Sequence, residues 1–382
     1  MDNQKICIIG DGLAGLSAAT ILSQENIKID LYAGGNKKKN FKKDNRTTAI
    51  SESSYQFIKQ RLNIKNLKIF WPCKEIDLFF EDKNKIKNFL SFKEKKNKLM
   101  YIFKNNKLKK DLRKKILKKK NISLIRKKIA DLNYENGYIL SNKKKKFYDL
   151  IILCIGGHSK FYHKITQSRS IKKNYNEIAL TATVRHNSKI SKVSQFFLKE
   201  GPLAILPFKK NLFSVVWSVS NLFFLKNNKS LKKILNLKVK FLLENPKIQN
   251  IDKIESFPIN LNLKTKYFKK NILILGDGLH SVHPMAGQGF NLVLRDIEKL
   301  SMLMSKTLQL GMLFKNSFLL KNFYEARKPE NNILGLGINL TNIFFKDYKY
   351  FSFMKKTILN NMSKFKFIKQ ISQRISDKGI VT

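Results

Sequence analysis

Three short apolar runs, each stopped by a glycine, constrain this chain more than any other feature. They are Lys5–Ile9 (KICII), 148–155 (YDLIILCI) and 271–275 (NILIL). Runs without polar alternation read as strands covered on both faces, as in a parallel sheet. They lie far apart in sequence, so one sheet has to be assembled from separated segments. The first run leads into a helical stretch, 16–24, and a second strand, 27–32. Together these make a β-α-β unit of about 30 residues.

The turn inside that unit reads Gly10-Asp11-Gly12-Leu13-Ala14-Gly15, a match to G-x-G-x-x-G. The first glycine permits the tight turn, the second lets backbone approach a pyrophosphate, and the third lets helix and strand pack closely. Backbone N–H groups at the helix start then face an anion, aided by the helix dipole. A strand before it and a helix after it make this a dinucleotide site. Two residues depart from the usual pattern. Ala33 stands where an acidic residue normally binds the adenosine ribose, Asp30 falling too early in the strand. Asp11 puts a carboxylate beside the pyrophosphate. Ribose binding then relies on backbone or on another side chain.

Between the second and third runs the pattern changes. From 178 to 220 the stretches EIALTATVRH, GPLAILPF and LFSVVWSV read as strands of an antiparallel sheet. Segments 75–80 and 91–103 read as short strands, and 51–61 as a helix capped by Ser51. Residues 106–120, 231–244, 291–306, 316–327 and most of the remainder read as helices. No internal repeat is evident.

Composition bounds the partners. Lys and Arg total 76 against 27 Asp and Glu, a formal net charge of +49. The lysines come with abundant Asn, Ile and Phe, residues that share A/T-rich codons, so genome composition is one explanation. Affinity for an anionic membrane surface is the other. Nucleic acid is set aside, because the lysines are scattered and no recognition motif accompanies them. Cys7, Cys73 and Cys154 form neither a disulfide framework nor a zinc spacing, which fits a reducing cytoplasm. No signal peptide is expected at the N-terminus. No run of about 18 apolar residues predicts a transmembrane helix.

Residues 271–300 read NILILGDGLHSVHPMAGQGFNLVLRDIEKL. This segment resembles that of the FAD-dependent aromatic hydroxylases related to para-hydroxybenzoate hydroxylase, and within them the ubiquinone-biosynthesis hydroxylases. Their pattern is G-D-A-A-H-x-x-H-P-x-x-G-Q-G-x-N. Gly276, Asp277, His280, His283, Pro284, Gly287, Gln288, Gly289 and Asn291 match it, while Gly278 and Leu279 replace the two alanines. The stretch Asp44-Asn45-Arg46-Thr47-Thr48-Ala49-Ile50-Ser51 resembles the family's D-x-R-x-x-A-L-S. Residues 195–218 resemble its Q-x-F-x-x-x-G-P-x-A-x-L-P…S-x-V-W-S, and Tyr324-Glu325-Ala326-Arg327 its Y-x-x-x-R helix. One motif departs: at 154–159 the chain reads CIGGHS where the family has A-D-G-x-x-S, so Ile155 replaces an Asp.

The resemblance implies an α/β fold with a Rossmann-like FAD-binding domain from 1–72, 100–165 and 265–335. It implies an inserted antiparallel β-sheet substrate domain from 73–99 and 166–264, and a helical C-terminal region, 336–382. The implied cofactor is FAD, held by Gly10, Gly12, Leu13, Ala14, Gly15, Arg46, Asp277, Pro284, Gly287, Gln288, Gly289 and Asn291. Asp277 would bind the ribityl hydroxyls. Pro284 and the 287–289 loop would line the isoalloxazine ring, with a helix beginning near Asn291 pointing its positive end at it. The implied reaction hydroxylates the ring of a membrane-derived polyprenyl phenol in ubiquinone biosynthesis, using NAD(P)H and O2 through a flavin C4a-hydroperoxide. No catalytic side chain is assigned. No metal is either, since nothing joins His280 and His283 and the family uses them structurally. The rival readings are another flavoprotein of this fold (a hydroxylase of a soluble aromatic, or a reductase) and a non-catalytic component of a ubiquinone-synthesis complex. The basic tail 342–374 carries Phe344, Phe345, Tyr348, Tyr350, Phe351, Phe353 and Met354. It either rests on an anionic surface or on partner enzymes, or packs on the FAD-binding domain. The expected location is cytoplasmic, peripheral on the inner membrane face.

Overall fold

The computed structural model describes residues 4–34, 44, 46–62, 64, 67–83, 85–156, 159–162, 165, 170–315, 317–346, 359 and 366–379. The basic loop expected at 36–45, apart from Asp44, lies outside them. So do Gly157, His158, Tyr348, Tyr350, Phe351, Phe353 and Met354.

The three apolar runs come together as read. A six-stranded sheet has the order Phe268–Lys269, Ile272–Ile274, Leu150–Leu153, Lys5–Ile9, Lys28–Tyr32, Ile122–Ile125. All neighbours pair in parallel except the edge strand Phe268–Lys269. Ile6, Ile8, Leu150, Ile152 and Leu273 have no solvent contact. Both faces are therefore covered, which is why these strands show no alternation. The first helix, α1 (Leu13–Leu22), is buried at every position from Gly15 onward. Asp30 points into the fold, where Tyr148 Oη donates to its Oδ2 at 2.7 Å and Lys5 Nζ lies 3.0 Å away. It is committed to the sheet.

A nine-stranded sheet carries the β-rich middle. The expected antiparallel order holds with one correction. Val193–Leu198 pairs in parallel with Glu75–Asp82, because these two strands come from separate passes of the chain. The stretch 91–103 is likewise two strands in two sheets. Lys85–Lys93 belongs to the large sheet, and Met100–Lys104 to a small one with Thr47–Ser51 and Trp71–Cys73.

The other helices are α2 (Glu52–Leu62), α3 (Asn105–Ile116), α4 (Asn221–Asn227), α5 (Leu231–Leu242), α6 (Gly289–Gln309), α7 (Ser317–Lys346) and α8 (Lys366–Lys378). Ser51 caps α2, its Oγ accepting from Ser54 N at 3.3 Å. Helix α7 runs unbroken across residue 336, where a separate C-terminal region was expected to begin. Among the described residues no helix is long and apolar enough to cross a membrane.

Two buried histidines fasten the segment after Leu275 to its surroundings. His280 Nε2 lies 2.6 Å from Asp296 Oδ2, and Arg327 Nε donates to Asp296 Oδ1 at 2.7 Å. Burial alone would raise the Asp296 carboxyl, but Arg327 and His280 hold it below its usual range. His283 reaches into the large sheet, its Nε2 lying 2.9 Å from Glu177 Oε2. Met285 N donates to Nδ1 at 3.2 Å, which leaves Nε2 as the protonated nitrogen and the donor to Glu177.

Burial pushes the His283 imidazole down to about 4. In an unfolded chain it titrates near 6.5. Its neutral form therefore stabilises the fold fully above about pH 6.5, and that contribution, on the order of 3 kcal/mol, is lost as pH falls toward 4. With five histidines in the chain, NMR of histidine-labelled protein should show one ring neutral at pH 5. If the signal lost in a His283→Gln variant titrates above pH 6, the account of this contact is wrong.

Candidate functional site

The carboxyl ends of the parallel strands open into one large cavity of about 1530 Å³. Open α/β sheets place ligands at this edge. At one end of the cavity lies the glycine turn. Gly10 has φ +114°, and a Cβ there would sit 2.2 Å from Cys154 O; a Cβ on Gly15 would sit 1.9 Å from Gly10 O. These two glycines are demanded by packing. Gly12 differs, because a Cβ there would meet nothing within 4 Å. It borders open cavity directly before α1, whose first turn has no side-chain cap. Unpaired N–H groups beside open space form a cradle for an anion.

The second segment faces the same space. Gly276 (φ +80°) packs against Ala14, its added Cβ falling 2.9 Å from Ala14 Cβ. Asp277 is exposed to the cavity, and Pro284, Gly287, Gln288 and Gly289 line it further along. Helix α6 begins at Gly289, two residues earlier than expected, and directs its N-terminus there. Asn291 lines the cavity too, but its amide is committed to backbone. Oδ1 accepts from Ser51 N at 3.0 Å, and Nδ2 donates to Gly287 O at 3.3 Å. Asn291 thus ties the glycine loop to the corner before α2. Of the twelve residues singled out in the sequence, all but Gly15 line this cavity; Gly15 is buried beneath it.

Charge is arranged around the cradle partly by two residues the sequence did not reveal, Arg113 and Lys109. Asp11 forms an ion pair with Arg113 of α3, so the carboxylate beside the glycine turn is offset. Asp44 holds Arg46 in a two-pronged contact, with Nε at 2.8 Å and NH2 at 3.1 Å, and Lys109 at 2.8 Å. Its hydrogen bond to Asp44 raises the Arg46 guanidinium above its usual range, with Asp277 adding to the effect. The Arg46 guanidinium also lies over the Phe257 ring, 4.9 Å from its centre. Asn105 opens α3 in the cavity wall, taking a hydrogen bond from Thr48 Oγ1 at 2.6 Å. Nothing in the Asn/Lys-rich sequence around Asn105 marks it out.

Three departures from the expected patterns, at Ala33, Ile155 and Gly278, have a structural setting. Ala33 is buried and donates its N–H to Ile125 O at 2.9 Å, so no side chain there reaches a ribose. Ile155 lines the cavity beside Gly10. At Gly278, where the family has alanine, a Cβ would fall 2.1 Å from Tyr162 Oη. The Tyr162 phenol occupies the volume that the methyl group would need.

The other end of the cavity is apolar. Leu78, Phe197 and Leu206 of the large sheet face Met285 and the α7 residues Ile333 and Leu340. Phe345 stacks on Phe197, the ring centres 3.5 Å apart. Helix α8 closes one side. Ser53 N donates to Asp377 Oδ1 at 2.8 Å, and Arg295 NH2 donates to Ser376 O and Asp377 O at 3.1 and 3.0 Å. This part of the tail packs on the body of the protein. Among the described residues no cluster of His, Cys, Asp or Glu forms a metal site.

A glycine cradle, an exposed carboxylate suited to hydroxyls and a glycine loop at a helix N-terminus fit a flavin dinucleotide. Comparison with known proteins agrees. The FAD binding domain family matches residues 149–311. The mitochondrial ubiquinone biosynthesis monooxygenase COQ6 of Dictyostelium discoideum is 29% identical over 328 residues, covering 70% of this chain and 66% of that protein. Ubiquinone hydroxylase UbiL of Rhodospirillum rubrum is 27% identical over 170 residues, covering 42% of this chain and 38% of that one. In each case the match spans less than two thirds of the relative's length. Among solved structures, p-nitrophenol 4-monooxygenase PnpA of Pseudomonas putida superposes with a TM-score of 0.78 at 13% identity, covering 99% of both chains. That likeness is one of fold.

The Tyr162 contact predicts a specific non-additivity. Gly278→Ala should destabilise the flavin-loaded protein by about 1–3 kcal/mol through overpacking. In a Tyr162→Ala background the same change should cost less than half as much. Urea unfolding of the four proteins measures this, and equal penalties in both backgrounds would remove the explanation.

Proposed function

We propose that this chain, a member of the FAD-dependent hydroxylase family, hydroxylates the aromatic ring of a polyprenyl phenol in ubiquinone biosynthesis, with NAD(P)H and O2 as co-substrates. The observation that carries the proposal is the continuity of one cavity, from the glycine cradle to an apolar arm walled by the large sheet and α7. At about 1530 Å³ it exceeds the roughly 300–1,000 Å³ of an ordinary ligand pocket. It has room for a dinucleotide and a second, largely apolar molecule. The names of the two relatives supply the ubiquinone context.

FAD, when bound, supplies the redox chemistry, accepting a hydride from NAD(P)H and passing electrons to O2. The chain's own residues position and enclose. Gly12 and the first turn of α1 would hold the pyrophosphate, where the Asp11 carboxylate is offset by Arg113. Asp277 would take the ribityl hydroxyls. Pro284 and the 287–289 loop would border the ring, and the N-terminus of α6 would favour negative charge on it. Leu78, Phe197, Leu206 and Met285 exclude water from the space where the phenol ring would lie. An electron-rich phenol needs no side-chain nucleophile, and none is assigned. The proposed location is cytoplasmic, against the inner face of the membrane that holds the substrate.

The test uses purified flavin-loaded protein, a prenylphenol with a shortened tail, NADH or NADPH, and 18O2. The expected product carries one added 18O on the ring. Oxidation of the nicotinamide with no labelled product, or reduction of an added quinone instead, would overturn the reading.

A further inference from the structure

Helix α7 buries polar residues and exposes apolar ones over its second half. Its buried positions hold Asn331 and Asn342, each 1% exposed, alongside Leu334 and Gly335. Its exposed positions hold Ile333, Leu336 and Leu340, at 54, 38 and 64%. Spacings of three and four place these three on one face. An ordinary surface helix shows the reverse pattern. The sequence 331–345, NNILGLGINLTNIFF, contains no charged residue, although 27% of the chain is charged. Ile333 and Leu340 also line the cavity, so the apolar outer face continues into its apolar arm.

Such a face is matched by a lipid surface or by a second copy of the chain. Charge decides between them. At +49 two copies repel each other, whereas an anionic surface attracts the chain. The charge-free run is bounded by Glu330, which is paired internally with Arg327 and Arg295, and by Lys346, so the attraction to an anionic surface comes from the net charge of the chain. Fifteen helical residues span about 22 Å, short of the roughly 30 Å hydrocarbon core, so the helix lies on a bilayer rather than through it.

We propose that α7 docks on an anionic bilayer through Ile333, Leu336 and Leu340, and that substrate enters the cavity from the acyl layer past Ile333 and Leu340. The second half of this proposal rests on the function proposed above; the first does not. It also moves the contact from the 342–374 tail to the preceding turns of α7.

The test is sedimentation of the full-length, flavin-loaded protein with phosphatidylcholine vesicles containing phosphatidylglycerol. A chain this basic will bind them weakly through charge alone. The discriminating measurement is therefore made in about 0.5 M salt, where exposed charges are screened within a few ångströms. Wild type should remain bound. Leu336→Asp, and the pair Ile333→Asp with Leu340→Asp, should lose at least about tenfold in partitioning. Flavin content and circular dichroism report that each variant is folded. Complete release of wild type by salt would overturn the proposal, as would variants that bind like wild type. So would a wild-type dimer that these variants dissociate, since the face would then meet a second copy. Vesicle binding that persists when no prenylphenol is hydroxylated would count against the proposed substrate and leave the docking face intact.

Discussion

One carboxylate with no solvent contact holds the flavin-side segment in place. Asp296 meets His280 from the segment after Leu275, and Arg327 and Asn331 from α7, at 2.6, 2.7 and 3.2 Å. A buried carboxylate stripped of its partners costs several kcal/mol, so these contacts stand or fall together. Arg327 also pairs with Glu330, which lies 3.5 Å from Arg295, and Arg295 in turn holds the backbone of Ser376 and Asp377. Four chain segments thus share one network. His280 stands three residues after Asp277, so the same network fixes where that cavity-facing carboxylate begins.

Around this hub the cavity is built by backbone more than by side chains. Gly10, Gly15 and Gly276 allow strand ends and α1 to approach more closely than any Cβ permits. Gly12 serves another purpose: it keeps open the space that the other glycines have framed. The apolar arm comes from the opposite source, side chains of the large sheet and of α7, fastened to the flavin segment by His283 and Glu177. Binding and enclosure are divided between two parts of the chain that meet at 280–289.

What could be read in the sequence was what local geometry dictates. A glycine required by a close approach leaves a mark at its own position, and an apolar run without alternation marks a covered strand. The glycine turn from Gly10 to Gly15 was legible for that reason, whereas Arg46, Asp277, Pro284, Gln288 and Asn291 were legible only through the family resemblance. Contacts between distant positions left no such mark. Arg113 meets Asp11 across 102 residues, and nothing in the basic run of α3 sets Arg113 apart from its neighbours. The two histidines were visible, but their acidic partners on α6 and on a far strand were not. Tyr162 explains Gly278 only once the fold brings the two together. The parallel pairing of Val193–Leu198 with Glu75–Asp82 was hidden because strand direction depends on the whole path of the chain. The exposed apolar face of α7 was hidden too, since periodicity alone does not say which side of a helix faces inward.

The central claim is that the glycine cradle and the 276–291 segment close on one flavin dinucleotide. Gly12→Glu tests it most directly, because a side chain there meets no protein atom within 4 Å of its Cβ and so spares the fold while filling the cradle. Flavin released from the purified proteins is quantified by chromatography, with circular dichroism as the check on folding. The account predicts one FAD per wild-type chain and at least about a hundredfold weaker binding in the variant, some 2.7 kcal/mol, with an unchanged fold. A folded Gly12→Glu protein that keeps its full complement of FAD, or a wild-type chain that binds none, would contradict it.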